Sequence, residues 1–160
     1  MVNTDVLFSI GDAAQEAGNF DLARQSFERG AALGSAECMS RLAYMFDVGA
    51  GVAADKALAM RLYKRAWRQG SDVAANNIAI LYREQGKRRA MFRWFQKAAL
   101  NGDGSAQLDM AKCYLDGTGV RRNLQAAIRC LSVALGSDYI SEADREEASD
   151  LMGALRPRIV

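Results

Sequence analysis

The sequence predicts an all-α fold: a right-handed α-solenoid of about four helix-turn-helix repeats, closed by a C-terminal capping helix. Three observations predict it. The chain matches itself at offsets of 32 and 36 residues, apolar residues recur three and four apart within each copy, and the single proline, Pro157, lies near the chain's end. With proline absent from the body, its main helix breaker is missing.

Each element follows from the alignment of the copies. The first repeat, residues 3–34, is found at a distance: Ile10 and Phe27 precede Ile78 and Phe95 by 68 positions each, and Gly18 falls on Gly86. The next three, 35–70, 71–102 and 103–138, align directly. Leu42-Ala43-Tyr44-Met45-Phe46 matches Ile78-Ala79-Ile80-Leu81-Tyr82 and Met110-Ala111-Lys112-Cys113-Tyr114. Further on, Leu62 matches Trp94 and Cys130, which marks an interior position of the second helix. Gly34-Ser35, Gly70-Ser71 and Gly102-Asp103 each set a left-handed helix stop before an N-cap. Between the helices of a pair, Gly49-Ala50-Gly51-Val52 and Gly117-Thr118-Gly119-Val120 form matching loops, whereas Gln85-Gly86-Lys87 is a tight turn. Ser141-Glu142-Ala143-Asp144 has the form of a capping box and opens a final helix, 141–156, with Ala148, Leu151, Met152 and Leu155 on one face. Arg156-Pro157 ends it, and the helix covers the open face of the last repeat, as a solenoid requires. The whole chain, 1–160, reads as one domain.

Composition narrows the function. The chain has 160 residues, half apolar and a quarter charged, which is ordinary for a folded soluble protein. No apolar run is long enough to span a bilayer, and the first residues lack a basic leader, so a cytoplasmic setting is expected. A net charge of +2 is too mild to predict nucleic-acid binding. Histidine is absent altogether, which removes Ser-His and Cys-His catalysis and histidine metal ligation. Cys38, Cys113 and Cys130 show no C-x-x-C spacing and read as small apolar core residues, not metal ligands. Gly117-Thr118-Gly119 lacks the Lys-Ser or Lys-Thr of a phosphate loop, and the acidic residues of the last helix read as a solvated face. The expectation is a protein without catalytic residues, metal or cofactor.

The segment 43–57 with Leu62-Tyr63-Lys64-Arg65-Ala66 and Gly70, the segment 114–120, and Trp94-Phe95-Gln96-Lys97-Ala98-Ala99 to Gly102 resemble Sel1-like repeats. The lengthened G-x-G-V loop distinguishes these from tetratricopeptide repeats, which the shorter units with Gly18 and Gly86 resemble more. The resemblance covers about residues 5–138 and implies a non-catalytic adaptor or scaffold. Some secreted members carry disulfides between the helices of a repeat. Here Cys113 aligns with Met45 and Leu81, and Cys130 with Leu62 and Trp94, so both are expected as buried thiols.

A protein partner is expected on the concave face, lined by first-helix positions beside the apolar stripe. The candidate partner-binding residues are Arg41, Tyr44, Asp47, Asn76, Asn77, Ile80, Arg83, Asp109 and Lys112, flanked by Phe8, Asp12, Gln15, Glu37, Ser40 and Leu108. Tyrosine and arginine are enriched in binding hot spots, and asparagine can both donate to and accept from a peptide backbone. Solvated polar surface with intramolecular pairing is the plainer account of the same residues. Two further readings stand beside the adaptor: an immunity-type inhibitor of a bacterial toxin, and an RNA binder using Lys87, Arg88, Arg89 and Arg93. A bacterial origin and a monomeric or weakly associating state are expected.

Overall fold

The computed structural model describes residues 3–155. Among them are nine α-helices and no strand: α1 (Thr4–Glu16), α2 (Phe20–Ala32), α3 (Ala36–Val48), α4 (Lys56–Arg68), α5 (Val73–Glu84), α6 (Arg88–Leu100), α7 (Gly104–Asp116), α8 (Leu124–Gly136) and α9 (Glu142–Leu155). Each of the stretches 3–34, 35–70, 71–102 and 103–138 contains two of the first eight helices in chain order. The expected stop at Arg156-Pro157 lies outside the described residues. The chain gathers into two compact units, Met1–Ile78 and Ala79–Val160.

Short polar residues start the helices. In the first unit Asn3, Asn19, Ser35 and Asp55 each accept a hydrogen bond from a first-turn amide, and Asp103 and Asn123 do so in the second. Each such cap contributes about 1 kcal/mol. The start of α6 is different: Lys87 stands at the cap position and makes no capping bond.

The second helices carry the core. Phe27, Tyr63, Phe95 and Leu131 occupy one repeat position and are all but fully buried. One turn later the chain places Gly30, Ala66, Ala98 and Ala134, all small and buried. On the first helices the matching small position is Gly11, Ala43, Ala79 and Ala111. Gly11 shows why: a Cβ there would overlap the Phe27 ring. Large residues on one helix against small ones on its partner let the pair approach closely.

Two sequence expectations are corrected here. Leu62, expected inside, is only half-buried, and the adjacent Tyr63 takes the interior. A one-residue step turns a helical side chain by about 100°, so in α4 Leu62 flanks the interior that Tyr63 fills, whereas in α8 both Cys130 and Leu131 are buried. Leu108, expected on the binding face, is buried at 1% exposure, because its aliphatic side chain packs into the core of α7.

The lengthened loops have a structural cause. Gly51 and Gly119 both adopt positive φ, and both are pressed against the preceding repeat: a Cβ on Gly51 would overlap the Phe20 side chain, and one on Gly119 the Arg88 carbonyl. Phe20 and Arg88 are the first residues of α2 and α6. Each loop therefore lies against the start of an earlier second helix, which only glycine permits.

Helix α9 closes the second unit. Ala148 and Leu155 are its buried residues, while Leu151 and Met152 are half-buried. Polar contacts seat it: Ser105 Oγ donates to Asp144 at 2.5 Å, and Arg145 donates to the carbonyls of Leu135 at 2.6 Å and Ser137 at 2.7 Å. These carbonyls belong to the C-terminus of α8, where helical partners run out. No described helix is long and apolar enough to cross a membrane.

Candidate functional site

Six of the nine predicted residues fall into two groups, three in each unit. In the first, a groove of about 610 Å³ is lined by Phe8 from α1, by Glu37, Ser40, Arg41 and Tyr44 from α3, by the turn 70–72, and by Val73 and Asn77 from α5. Arg41 is held in place: its guanidinium lies 2.8 Å from the Asp12 carboxylate and 5.5 Å from the centre of the Phe8 ring. Beneath it, the Ser40 and Ser71 hydroxyls share a buried hydrogen bond of 2.7 Å. This bond ties α3 to the turn that starts α5. Tyr44 stands on the surface at 42% exposure and Val73 at 62%.

The asparagines differ. Asn77 donates its amide to the Val73 carbonyl one turn earlier at 3.2 Å and lines the groove. Asn76 is not among the groove residues, and its buried Oδ1 has no partner among the described residues, nor does Oε1 of Gln15. Asp47 is drawn away from the groove. It accepts from Lys56 Nζ at 2.5 Å and from the buried Tyr63 hydroxyl at 3.4 Å, bracing α3 against α4. Burial and the adjoining Asp47 charge push the Tyr63 phenol far above its ordinary range.

In the second unit, Arg83, Asp109 and Lys112 do come together, around a smaller cavity of about 290 Å³. Arg83 lies 3.5 Å from Asp109 and 5.9 Å from the centre of the Phe95 ring. Lys112 reaches Asp109 at 3.9 Å and Glu147 of α9 at 2.7 Å. Burial raises the Asp109 carboxyl above its ordinary value, although both cations oppose the shift. Ile80 is half-buried and does not line this cavity.

Sequence reasoning missed Val73 and the turn 70–72 as groove walls, and Glu147 as the partner of Lys112. Val73 left a trace, an apolar residue isolated after Gly70-Ser71-Asp72. Glu147 left none, since nothing local says which face of α9 meets α7.

Cys113 lines the second cavity, but burial pushes its thiol up to about 11, so it is protonated near neutrality. Cys38 and Cys130 are raised by burial as well, and all three cysteines are free and buried. No cluster of three or more metal-ligating side chains occurs among the described residues.

Comparison with known proteins agrees with the helix pairs. The chain is 32% identical over 89 residues to the DAP3-binding cell death enhancer 1 of Rattus norvegicus, a stretch covering 52% of this chain and 17% of that protein. The structure resembles c5321, a protective antigen of uropathogenic Escherichia coli strains with an SLR fold, at a TM-score of 0.74 and 27% identity, over 82% of this chain and 30% of that one. It also resembles a Sel1 repeat protein from Oxalobacter formigenes at a TM-score of 0.81 and 20% identity, over 96% of this chain and 62% of that one. The chain thus spans less than two thirds of each of these relatives. The Sel1 repeat pattern itself matches residues 36–71, 92–103 and 104–135, the stretches holding α3–α4, most of α6, and α7–α8. Repeat spacing, glycine-bearing loops and small-against-large helix packing have one explanation: the chain belongs to the Sel1 repeat family, whose members generally mediate protein–protein interaction.

Proposed function

We infer that this chain is a non-catalytic adaptor or scaffold that holds an extended segment of a partner protein in the groove of its first unit. The carrying observation is the groove itself: exposed Tyr44 and Val73 offer apolar contact beside the positioned Arg41 and the side-chain amide of Asn77. Such a mixture of aromatic, cationic and amide groups suits a peptide that buries one apolar side chain while its backbone bonds to the rim. Arg83, Asp109 and Lys112 are already largely compensated by one another and by Glu147, and so contribute less. Asp47 acts through the shape of α3. We place the protein in the cytoplasm, because its three buried thiols suit a reducing compartment.

The test is selection from a random displayed peptide library on the purified protein, followed by affinity measurements on variants. Tyr44→Ala should weaken the selected peptides by roughly thirtyfold, the usual loss at a hot spot, with unchanged helical content. Asn77→Ala should weaken them less. If the selected peptides are indifferent to both changes, the groove is not the binding site.

A further inference from the structure

Two corners of the molecule share a backbone and differ in charge. In the first unit the loop 49–55 rests through Gly51 on Phe20, and in the second the loop 117–123 rests through Gly119 on Arg88. A shift of 68 positions maps one corner on the other. Under it, Asn19, Phe20, Asp21, Ala53 and Ala54 are replaced by Lys87, Arg88, Arg89, Arg121 and Arg122. Packing therefore does not require these cations, because the same loop-on-helix contact forms in the first unit without them.

All five basic residues are exposed. Arg122 is partly engaged, its Nε donating to the Leu115 carbonyl at 2.8 Å, and Lys87 lies 5.9 Å from the centre of the Tyr82 ring. Arg88, Arg89 and Arg121 meet no carboxylate among the described residues. Two of them also stand where they weaken the fold. Arg88 and Arg89 occupy the first turn of α6, where positive charge opposes the helix macrodipole, and Lys87 withholds the capping bond that Asn19 gives α2. Local conflicts of this kind concentrate where a surface serves binding.

We propose that this corner of the second unit is a docking site for a run of carboxylates, an Asp/Glu-rich segment of a partner protein, separate from the groove. Arginine supplies four of the five cations, and its planar fork pairs bidentately with carboxylates. Nucleic acid fits less well, because the described aromatic rings near this corner are already engaged, Tyr82 by Lys87 among them. Phe92 is buried edge-on to Tyr114, and Lys97 lies 3.8 Å above the Trp94 ring.

Binding of a fluorescent oligoglutamate peptide and of an oligouridylate of equal charge, followed by anisotropy at two salt concentrations, tests the proposal. The triple variant Arg88→Gln/Arg89→Gln/Arg121→Gln should lose about tenfold or more in oligoglutamate affinity, with amide NMR shifts confined to residues 87–93 and 117–123 in the unaltered protein. Arg61→Gln/Arg65→Gln/Arg68→Gln on α4 removes the same charge elsewhere and should change affinity less than about twofold. Equal losses in the two variants, absence of oligoglutamate binding, or tighter binding of oligouridylate would each overturn the proposal. Urea midpoints of both variants separate unfolding from loss of the site.

Discussion

The guanidinium of Arg41 and the carboxylate of Asp12, 2.8 Å apart, connect α3 to α1 at the rim of the first unit's groove. Both side chains are partly exposed, at 40% and 33%. A pair so wetted contributes about 0–1 kcal/mol to stability, so its value is in fixing where Arg41 points. Asp12→Asn should leave the urea midpoint almost unchanged and weaken groove peptides several-fold by releasing Arg41. A double-mutant cycle with Arg41→Gln checks this: coupling should be visible in binding and nearly absent in stability.

The interior register makes a sharper prediction. Tyr63→Ala should cost about 3–5 kcal/mol, the range for losing a fully buried aromatic side chain. Leu62→Ala should cost about 1–2 kcal/mol, since a half-buried leucine loses only part of its transfer free energy. Tyr63→Phe removes only the hydroxyl that meets Asp47 and should cost less than about 1 kcal/mol. Equal losses for Tyr63→Ala and Leu62→Ala in chemical denaturation would mean that the register is misassigned.

That register also shows how far the sequence could be read. Helix positions were legible because glycine stops, polar caps and an apolar period recur at matched offsets. Aligning Leu62 with Trp94 and Cys130 located the correct helix and, in α8, a buried residue, but in α4 it missed the fully buried one, because the next position, Tyr63, Phe95 and Leu131, is also apolar in every copy. Leu108 was hidden for another reason, since it aligns with the polar Ser40 and Asn76 of other copies. At the site, the sequence supplied Arg41 and Tyr44 together through the helical period of α3, and Asn77 through the 36-residue repeat offset that sets it opposite Arg41 in the alignment. It could not supply pairings between distant segments. Lys112 with Glu147 and Asp47 with Lys56 depend on how helices pack, and these pairings decide which charges are already occupied.

Arg145 should prove the main polar tether of α9. Its two guanidinium nitrogens close the carbonyls of Leu135 and Ser137, and a charged donor to a carbonyl contributes about 1.5–3 kcal/mol. Arg145→Ala should lower stability within that range. Hydrogen exchange should accelerate first in α9 and the last turn of α8. Arg145→Lys should rescue little, because an ammonium cannot span both carbonyls with a planar fork. Uniform acceleration across the second unit would mean that α9 has no separate opening step.

Asp109 and Asp144 should respond to pH in opposite senses. Burial raises the Asp109 carboxyl above its ordinary 3.8, against the pull of Arg83 and Lys112. A native value above the unfolded one means that the folded protein holds this proton more tightly. Its favourable contribution is complete below 3.8 and disappears as pH rises through the native value, so ionised Asp109 costs stability at neutral pH. Asp144 is lowered, chiefly by the Ser105 hydroxyl, and its contribution is present above 3.8 and lost as pH falls. Asp109→Asn should therefore leave the urea midpoint at neutral pH unchanged or higher, while Asp144→Asn should lower it slightly and flatten the acid limb. Midpoints measured from below pH 3.8 to neutral pH in both variants decide the matter. A loss above about 1 kcal/mol for Asp109→Asn at neutral pH would mean that its pairing with Arg83 and Lys112 outweighs the cost of burial. Asp109 would then be a structural ion-pair residue, not a charge kept at a cost on the rim of the second cavity.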